Sequence, residues 1–283
     1  MITVESLLGP AVQQLESAGS PIPALDAQLW LAHVCGLTRA QLLARPERVV
    51  TPAQAARFSA GLARLAAGEP LRYLTGRAEF HGLAFRVSSA TLIPRPETEH
   101  LVDAALELIP DVAPSGFLVA DIGAGSGCIA VTLAVKRPAI HVFAVDVSSA
   151  ALEVAERNAE QHGVAKRITF LPGHLLAPLP VQVDLIAANL PYVADREWDD
   201  LPISVREYEP AGALRGGTEG LDLIDELLEQ APSALHSGGS ILLEIGAAQG
   251  PAALALAQCR CPAGTVRLEQ DYAGRDRLLI IQT

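Results

Sequence analysis

The run Asp121-Ile122-Gly123-Ala124-Gly125-Ser126-Gly127 constrains the fold of this chain more than any other stretch. It follows an apolar segment, Phe117 to Ile122, read as a buried strand, and leads into Cys128 to Val135, read as a helix. Three glycines at alternate positions let backbone N-H groups and a helix N-terminus approach a ligand closely. A glycine turn without a ligand looks the same locally, but a strand before it and a helix after it make it a cofactor loop. Two cofactor classes fit: a nucleoside-sulfonium such as S-adenosylmethionine, and a dinucleotide, because Gly125-x-Gly127-x-x-Ala130 meets the looser dinucleotide pattern. Asp121 favours the first, since a carboxylate there suits an ammonium group and would repel a pyrophosphate.

The alternation continues beyond that loop. His141 to Val147, Ile168 to Leu171, Val183 to Ala188, Ser240 to Ile245, Val266 to Leu268 and Arg277 to Ile281 read as further strands. Ala150 to His162 and Leu221 to Leu235 read as helices, and strands alternating with helices predict a doubly wound, Rossmann-like α/β sheet. Upstream, residues 3 to 67 read as several short helices, with Thr51-Pro52 a start signal and Gly68 a stop. Tyr73 to Leu92 changes to short extended runs broken by Gly76, Gly82 and Ser88-Ser89, which predicts a hairpin-like connector. The expected organisation is therefore a small helical domain over residues 1–70, a connector over 71–92, and a larger α/β domain over 93–283, a division natural for a chain of 283 residues.

Two further features fall at strand ends. Asp146 closes the second strand of the α/β part, where a carboxylate can accept both ribose hydroxyl protons; Asp146, Ser148 and Ser149 also precede a helix, so capping explains one of them. Asn189-Leu190-Pro191-Tyr192 ends the fourth strand. An amide or exocyclic NH2 group is planar, so a site that alkylates it needs oxygen acceptors for two N-H groups and a flat surface beneath. Asn189 and the Leu190 carbonyl would supply the acceptors, Tyr192 the surface, and Pro191 a stiff turn. Asn and Pro are also ordinary turn formers. The position at the carboxyl edge of the sheet, however, brings the tetrapeptide to the same crevice as the glycine loop. Adenine and a glutamine amide are both admissible targets at this point.

The net charge of -11 argues against stable nucleic-acid binding, which rests on Lys and Arg neutralising phosphates. The acidity is uneven: residues 1–80 hold 7 Lys and Arg against 6 Asp and Glu, and the remainder 14 against 26. Cys35, Cys128, Cys259 and Cys261 have no zinc or redox spacing, so no metal is expected and free thiols in a reducing cytoplasm fit best. No segment reads as a signal or a membrane span. His174 is a lone loop histidine, more often a packing residue than a base. Asp195 to Asp200 reads as a solvated acidic face that would at most line a substrate entrance.

The chain resembles the release factor glutamine methyltransferase family. The resemblance extends over Glu69-Pro70-Leu71-Arg72-Tyr73-Leu74-Thr75-Gly76, Glu79-Phe80, and Ile93-Pro94-Arg95-Pro96-Glu97-Thr98-Glu99. It continues in Gly220-Leu221-Asp222, Leu243-Glu244-Ile245-Gly246 with Gln249, and Asp271-Tyr272-Ala273-Gly274-Arg275-Asp276-Arg277. It implies methyl transfer from S-adenosylmethionine to the side-chain amide nitrogen of the glutamine in the Gly-Gly-Gln motif of class 1 peptide chain release factors. It further implies that Gly123, Ala124, Gly125, Ser126 and Gly127 wrap the methionine and ribose, that Asp146 and Leu175 hold the ribose and adenine, and that Asn189 to Tyr192 bind the glutamine. The helical N-terminal domain would help hold the protein substrate. Two positions depart from the pattern: Leu190 stands where the family has Pro, and His174 where it has Asp. Asn-Leu-Pro-Tyr is also similar to adenine N6 dimethyltransferases, so the alternatives are an adenine N6-methyltransferase acting on RNA or DNA, a non-catalytic cofactor-binding module, and a nicotinamide-dependent oxidoreductase.

Overall fold

The computed structural model describes residues 1–110, 116–271 and 273–283; Tyr272, in one of the segments quoted for the resemblance, lies outside the described residues. The chain divides into two compact units, Met1–Arg77 with Pro202–Tyr208, and Ala78–Leu201 with Glu209–Thr283. No described helix is long and apolar enough to cross a membrane.

The first unit is helical: α1 (Val4–Ser17), α2 (Pro23–Cys35), α3 (Arg39–Leu43), α4 (Pro52–Ala66), α5 (Leu71–Thr75) and, from later in the chain, α9 (Ile203–Arg206). Local chemistry sets its helix starts. Thr51 Oγ1 accepts from the Gln54 N-H while Gln54 Oε1 accepts from the Thr51 N-H, a reciprocal cap that satisfies two otherwise orphaned donors. Leu15, Leu31, Leu42 and Phe58 fill the core, and the buried Trp30 donates its indole N-H to the Phe58 carbonyl at 2.9 Å.

The second unit begins with a hairpin, β1 (Arg77–Phe80) and β2 (Leu83–Arg86). Its two-residue turn, His81-Gly82, has positive φ at both positions (52° and 73°), as a type I′ hairpin requires. The sheet follows: α6 (Thr98–Leu108), β3 (Leu118–Ile122), α7 (Cys128–Lys136), β4 (His141–Asp146), α8 (Ser149–Gln161), β5 (Ile168–Pro172), β6 (Val183–Ala188), α10 (Asp222–Ala234), β7 (Leu235–Glu244), α11 (Gly250–Arg260), β8 (Thr265–Gln270) and β9 (Asp276–Gln282). The seven strands lie in the order β5-β4-β3-β6-β7-β9-β8. The first five are parallel, and β9 runs antiparallel to both β7 and β8.

The doubly wound reading thus holds, with both faces of the sheet covered. One face packs on α6, α7 and α8 through Leu101, Ile129, Leu133 and Leu152; the other packs on α10 and α11 through Ile224, Leu227 and Ala253. Helices α6 and α11 were not legible as helices in the sequence. The first starts directly after two prolines, and the second is an alanine-rich stretch that reads as a broken apolar run. The chain runs from β3 outward to β4 and β5, then crosses to β6 on the other side of β3, so the strand order reverses between β3 and β6. Ligands bind such sheets at this reversal, outside the carboxyl ends of the strands.

Candidate functional site

A cavity of about 350 Å³ opens at that reversal, within the ~300–1,000 Å³ typical of small-molecule sites. Gly123, Ala124, Gly125, Ser126, Asp146, Leu175, Asn189, Leu190 and Pro191 line it together. Four strand ends supply them: β3 the glycine loop, β4 Asp146, β5 the loop with Leu175, and β6 the Asn-Leu-Pro segment. Gly127 and Tyr192 do not line it. Gly127 is the N-cap of α7, and a Cβ there would sit 2.9 Å from the Ala155 Cβ, so its bareness seats α7 on α8. Tyr192 follows Pro191 directly and is itself largely buried.

The glycine loop is held by its own backbone. The N-H groups of Gly123 and Ala124 both donate to the Val145 carbonyl, at 2.9 and 3.0 Å, and Gly127 N-H donates to the Ala124 carbonyl. Gly123 (φ 76°) passes close to the segment after β6: a Cβ would lie 3.4 Å from Leu190 Cδ2 and 3.5 Å from the Asn189 carbonyl. Asp146 is oriented from two sides, Oδ2 accepting from Gly125 N-H and Oδ1 from Ser148 N-H, each at 2.8 Å. Each oxygen keeps a further lone pair for a diol. The capping question at this point is answered by Ser148, whose Oγ accepts from Ala151 N-H at the start of α8, leaving Asp146 for the cavity.

Asp121 is placed differently from its sequence reading. It is fully buried in β3, does not line the cavity, and its Oδ2 accepts from Ala130 N-H, a first-turn donor of α7. Burial pushes its carboxyl up to about 7, with the Asp146 charge adding and the Ala130 hydrogen bond opposing. Its Oδ2 thus satisfies one of the donors left open at the helix N-terminus. Burial likewise pushes the Cys128 thiol up to about 12, so it presents a neutral thiol.

At the other end, Leu175 is buried in the cavity wall with φ 46°, a left-handed conformation that side chains rarely adopt. His174 also lines the wall, and its Nε2 lies 2.9 Å from Glu226. Asp195–Asp200 forms a short 3-10 helix whose acidic side chains are exposed.

The Asn189 side chain is fixed by a residue the sequence reading passed over. Asn189 lines the cavity, and its Nδ2 donates to Thr98 Oγ1 at 2.9 Å, which leaves Oδ1 as its acceptor. Thr98 is buried at the start of α6. Two other residues hold the same rim. The buried Glu209 carboxylate accepts from Ile93 N-H at 3.1 Å and pairs with Arg95 at 2.6 Å, which pins the wall formed by Pro94 and Arg95. Gln249 Nε2 donates to the carbonyls of Tyr192 and Gly220, and its Oε1 accepts from Gly246 N-H, so one side chain ties three loops together. The Tyr192 hydroxyl is pushed up to about 12, first by burial and then by the Glu244 charge. Thr98 and Gln249 both fall in segments quoted for the family resemblance, but nothing local in the sequence marked them as partners of Asn189 and Tyr192.

Comparison with known proteins gives a consistent picture. Residues 6–76 match the family model described as PrmC N-terminal domain, and residues 99–203 that of the methyltransferase small domain. The chain is 45% identical over 283 residues to a release factor glutamine methyltransferase of Moorella thermoacetica, covering 99% of this chain and 98% of the relative. A protein with the same description from Nitratidesulfovibrio vulgaris is 40% identical, with 98% and 94% covered. Among solved structures, a methyltransferase from Pyrococcus furiosus superposes with a TM-score of 0.53 at 18% identity, covering 79% of this chain and 98% of that one, a likeness of fold alone.

Proposed function

The chain belongs to the release factor glutamine methyltransferase family, and we propose that it methylates the side-chain amide nitrogen of the glutamine in the Gly-Gly-Gln motif of class 1 peptide chain release factors, using S-adenosylmethionine. One observation carries the reading: the glycine loop, Asp146 and Asn189 meet in one cavity, with the Asn189 NH2 group tied to Thr98 and its oxygen left as an acceptor.

The residues present fit this cofactor. The glycines leave a cradle that a Cβ at Gly123 would narrow, and the doubly oriented Asp146 carboxylate suits a ribose diol. Leu175 and Leu190 offer apolar walls to a purine. When bound, S-adenosylmethionine supplies an electrophilic methyl group on sulfonium sulfur. The chain's own work is positioning. Asn189 Oδ1 and the Leu190 carbonyl accept the two N-H groups of the substrate amide, and Pro191 stiffens the turn. Tyr192 packs against the amide plane, its backbone held by Gln249. As the amide nitrogen gains the methyl group it loses a proton to solvent, for no side chain is assigned as a base. The helical N-terminal unit helps hold the release factor, and the acidic α/β unit needs no nucleic-acid contact for this task. The reaction belongs in the cytoplasm, where release factors act and where the four free thiols persist.

The test is transfer of label from S-adenosylmethionine to release factor or to RNA, by the wild type and by Asn189→Ala. Label on the release factor glutamine, lost in the variant while cofactor affinity is kept, supports the proposal. Label on RNA alone, or unchanged transfer by Asn189→Ala, overturns it.

A further inference from the structure

The glycines that open the cradle in the cavity wall also leave it loose. Gly125 (φ 55°) and Gly127 (φ 76°) flank Ser126, and a peptide between such residues turns with little steric resistance. A site that works by positioning needs this loop set in advance. The lock lies outside the loop, on α8.

Asn158 is fully buried on α8 and uses its whole amide group. Its Nδ2 donates to the Ser126 carbonyl at 2.8 Å and to the Arg86 carbonyl at 3.0 Å, while its Oδ1 accepts from the Arg86 N-H at 2.7 Å. Two carbonyls and one N-H fix the amide in one orientation, since turning it over would set oxygen against oxygen and NH2 against N-H. The effect passes through a peptide plane. A trans peptide holds its C=O and N-H on opposite sides, so anchoring the Ser126 carbonyl aims the Gly127 N-H the other way, where it donates to the Ala124 carbonyl at 2.7 Å and closes the turn over Gly125 and Ser126. Ala155, three residues before Asn158, meets the bare Gly127 from the same face of α8.

The same side chain reaches the hairpin. Arg86 ends β2, and β2 is tied to α8 a second time, where Gln161 Nε2 donates to the Ala84 carbonyl at 2.6 Å and His162 Nε2 lies 2.8 Å from the same oxygen. Neither Gln161 nor His162 bonds to the glycine loop among the described residues. Docking of the hairpin can therefore be separated from setting of the loop.

Resting on the cofactor reading above, we propose that Asn158 is a positioning residue for S-adenosylmethionine, which fixes the Ser126–Gly127 peptide and so shapes the glycine loop before the cofactor arrives. It does not line the cavity and acts through the loop backbone alone.

The experiment compares wild type with Asn158→Asp, Asn158→Ala and the double variant Gln161→Ala with His162→Ala. It measures the S-adenosylmethionine Kd by calorimetry, KM for cofactor and for intact release factor, and Tm. When ionised, Asn158→Asp keeps the shape and an acceptor for the Arg86 N-H but has no donor for the Ser126 carbonyl. The expected result is a cofactor Kd and KM raised about 10-fold in both Asn158 variants, with KM for release factor unchanged. The double variant should lose Tm and keep the wild-type cofactor Kd. In the wild type, hydrogen exchange at the Gly127 amide should already be slow without cofactor, a readout that needs no variant to fold. Wild-type cofactor affinity in a folded Asn158→Asp, a double variant weakened as much as the Asn158 variants, or a Gly127 N-H protected only once cofactor is bound overturns the positioning claim alone. A wild type that binds no S-adenosylmethionine overturns the functional reading and this claim with it.

Discussion

Replacing Asp121 by Asn should flatten the pH dependence of stability in the α/β unit. Asp121 is fully buried, one oxygen accepting from Ala130 N-H at 2.9 Å and the other without a partner among the described residues. Its carboxyl is raised from an ordinary 3.8 to about 7. Between those values the fold holds a proton that the unfolded chain has released. The wild type is therefore at full stability below pH 3.8 as far as this group is concerned, and loses stability as pH rises through about 7, beyond which the loss is constant. Each pH unit in that window costs ~1.4 kcal/mol, so the full loss is ~4 kcal/mol. Relaxation around a buried charge reduces such figures, so at least ~2 kcal/mol is expected.

Asn at 121 keeps an oxygen for Ala130 and does not titrate. Its NH2 group faces the place of the partnerless oxygen at a pH-independent cost of ~1–3 kcal/mol. That offset cancels when the difference between the two proteins is followed against pH. Urea unfolding monitored by circular dichroism, from about pH 4.5 to pH 8.5, should show the wild type losing ground to Asp121→Asn as pH rises. Parallel stability curves for the two proteins would refute the account of Asp121 as a buried carboxyl charged at the expense of the fold.

Asp146→Asn should weaken S-adenosylmethionine binding by roughly 10- to 100-fold in calorimetry, because one acceptor for the ribose diol becomes a donor. Gln249→Leu removes the hydrogen bonds to Tyr192, Gly220 and Gly246 and should lower kcat on release factor more than it lowers cofactor affinity, since the Tyr192 side of the site loses its tie; equal effects on both would count against that reading. Gly61→Ala would drive a Cβ into the Trp30 indole and should destabilise the helical unit by ~1–3 kcal/mol, read as a fall in Tm.

The element order and the crevice at the strand reversal were legible in the sequence because both rest on near-neighbour constraints. The strands at Val183–Ala188 and His141–Asp146 show as apolar runs, and glycines at 123, 125 and 127 adopt the positive φ that a tight strand-to-helix turn demands. Thr51-Pro52 announced α4 because capping is a contact three residues long. Asp121 was misread for a related reason: its position two before the first glycine is visible in sequence, but which way its side chain points out of β3 is not. Helix α6 was missed because its apolar residues follow Pro94 and Pro96, and proline signals a loop locally even where a helix begins two residues later.

What the amino-acid order determined by itself was the α/β class, the glycine loop, Asp146 and the Asn189-Leu190-Pro191-Tyr192 segment, since each is marked by a pattern local in the sequence. Tertiary structure alone decided what holds them: Thr98 on Asn189 across 91 residues, Glu209 on Arg95 across 114, and Gln249 on Tyr192 across 57. It also decided that Pro202–Tyr208 packs with the helical unit, where the Tyr208 hydroxyl donates to the Ala67 carbonyl. The physical reason is that such partners meet only after the crossover from β5 to β6 sets the strand order and brings the carboxyl ends of β3, β6 and β7 side by side. Local sequence carries no term for that neighbourhood.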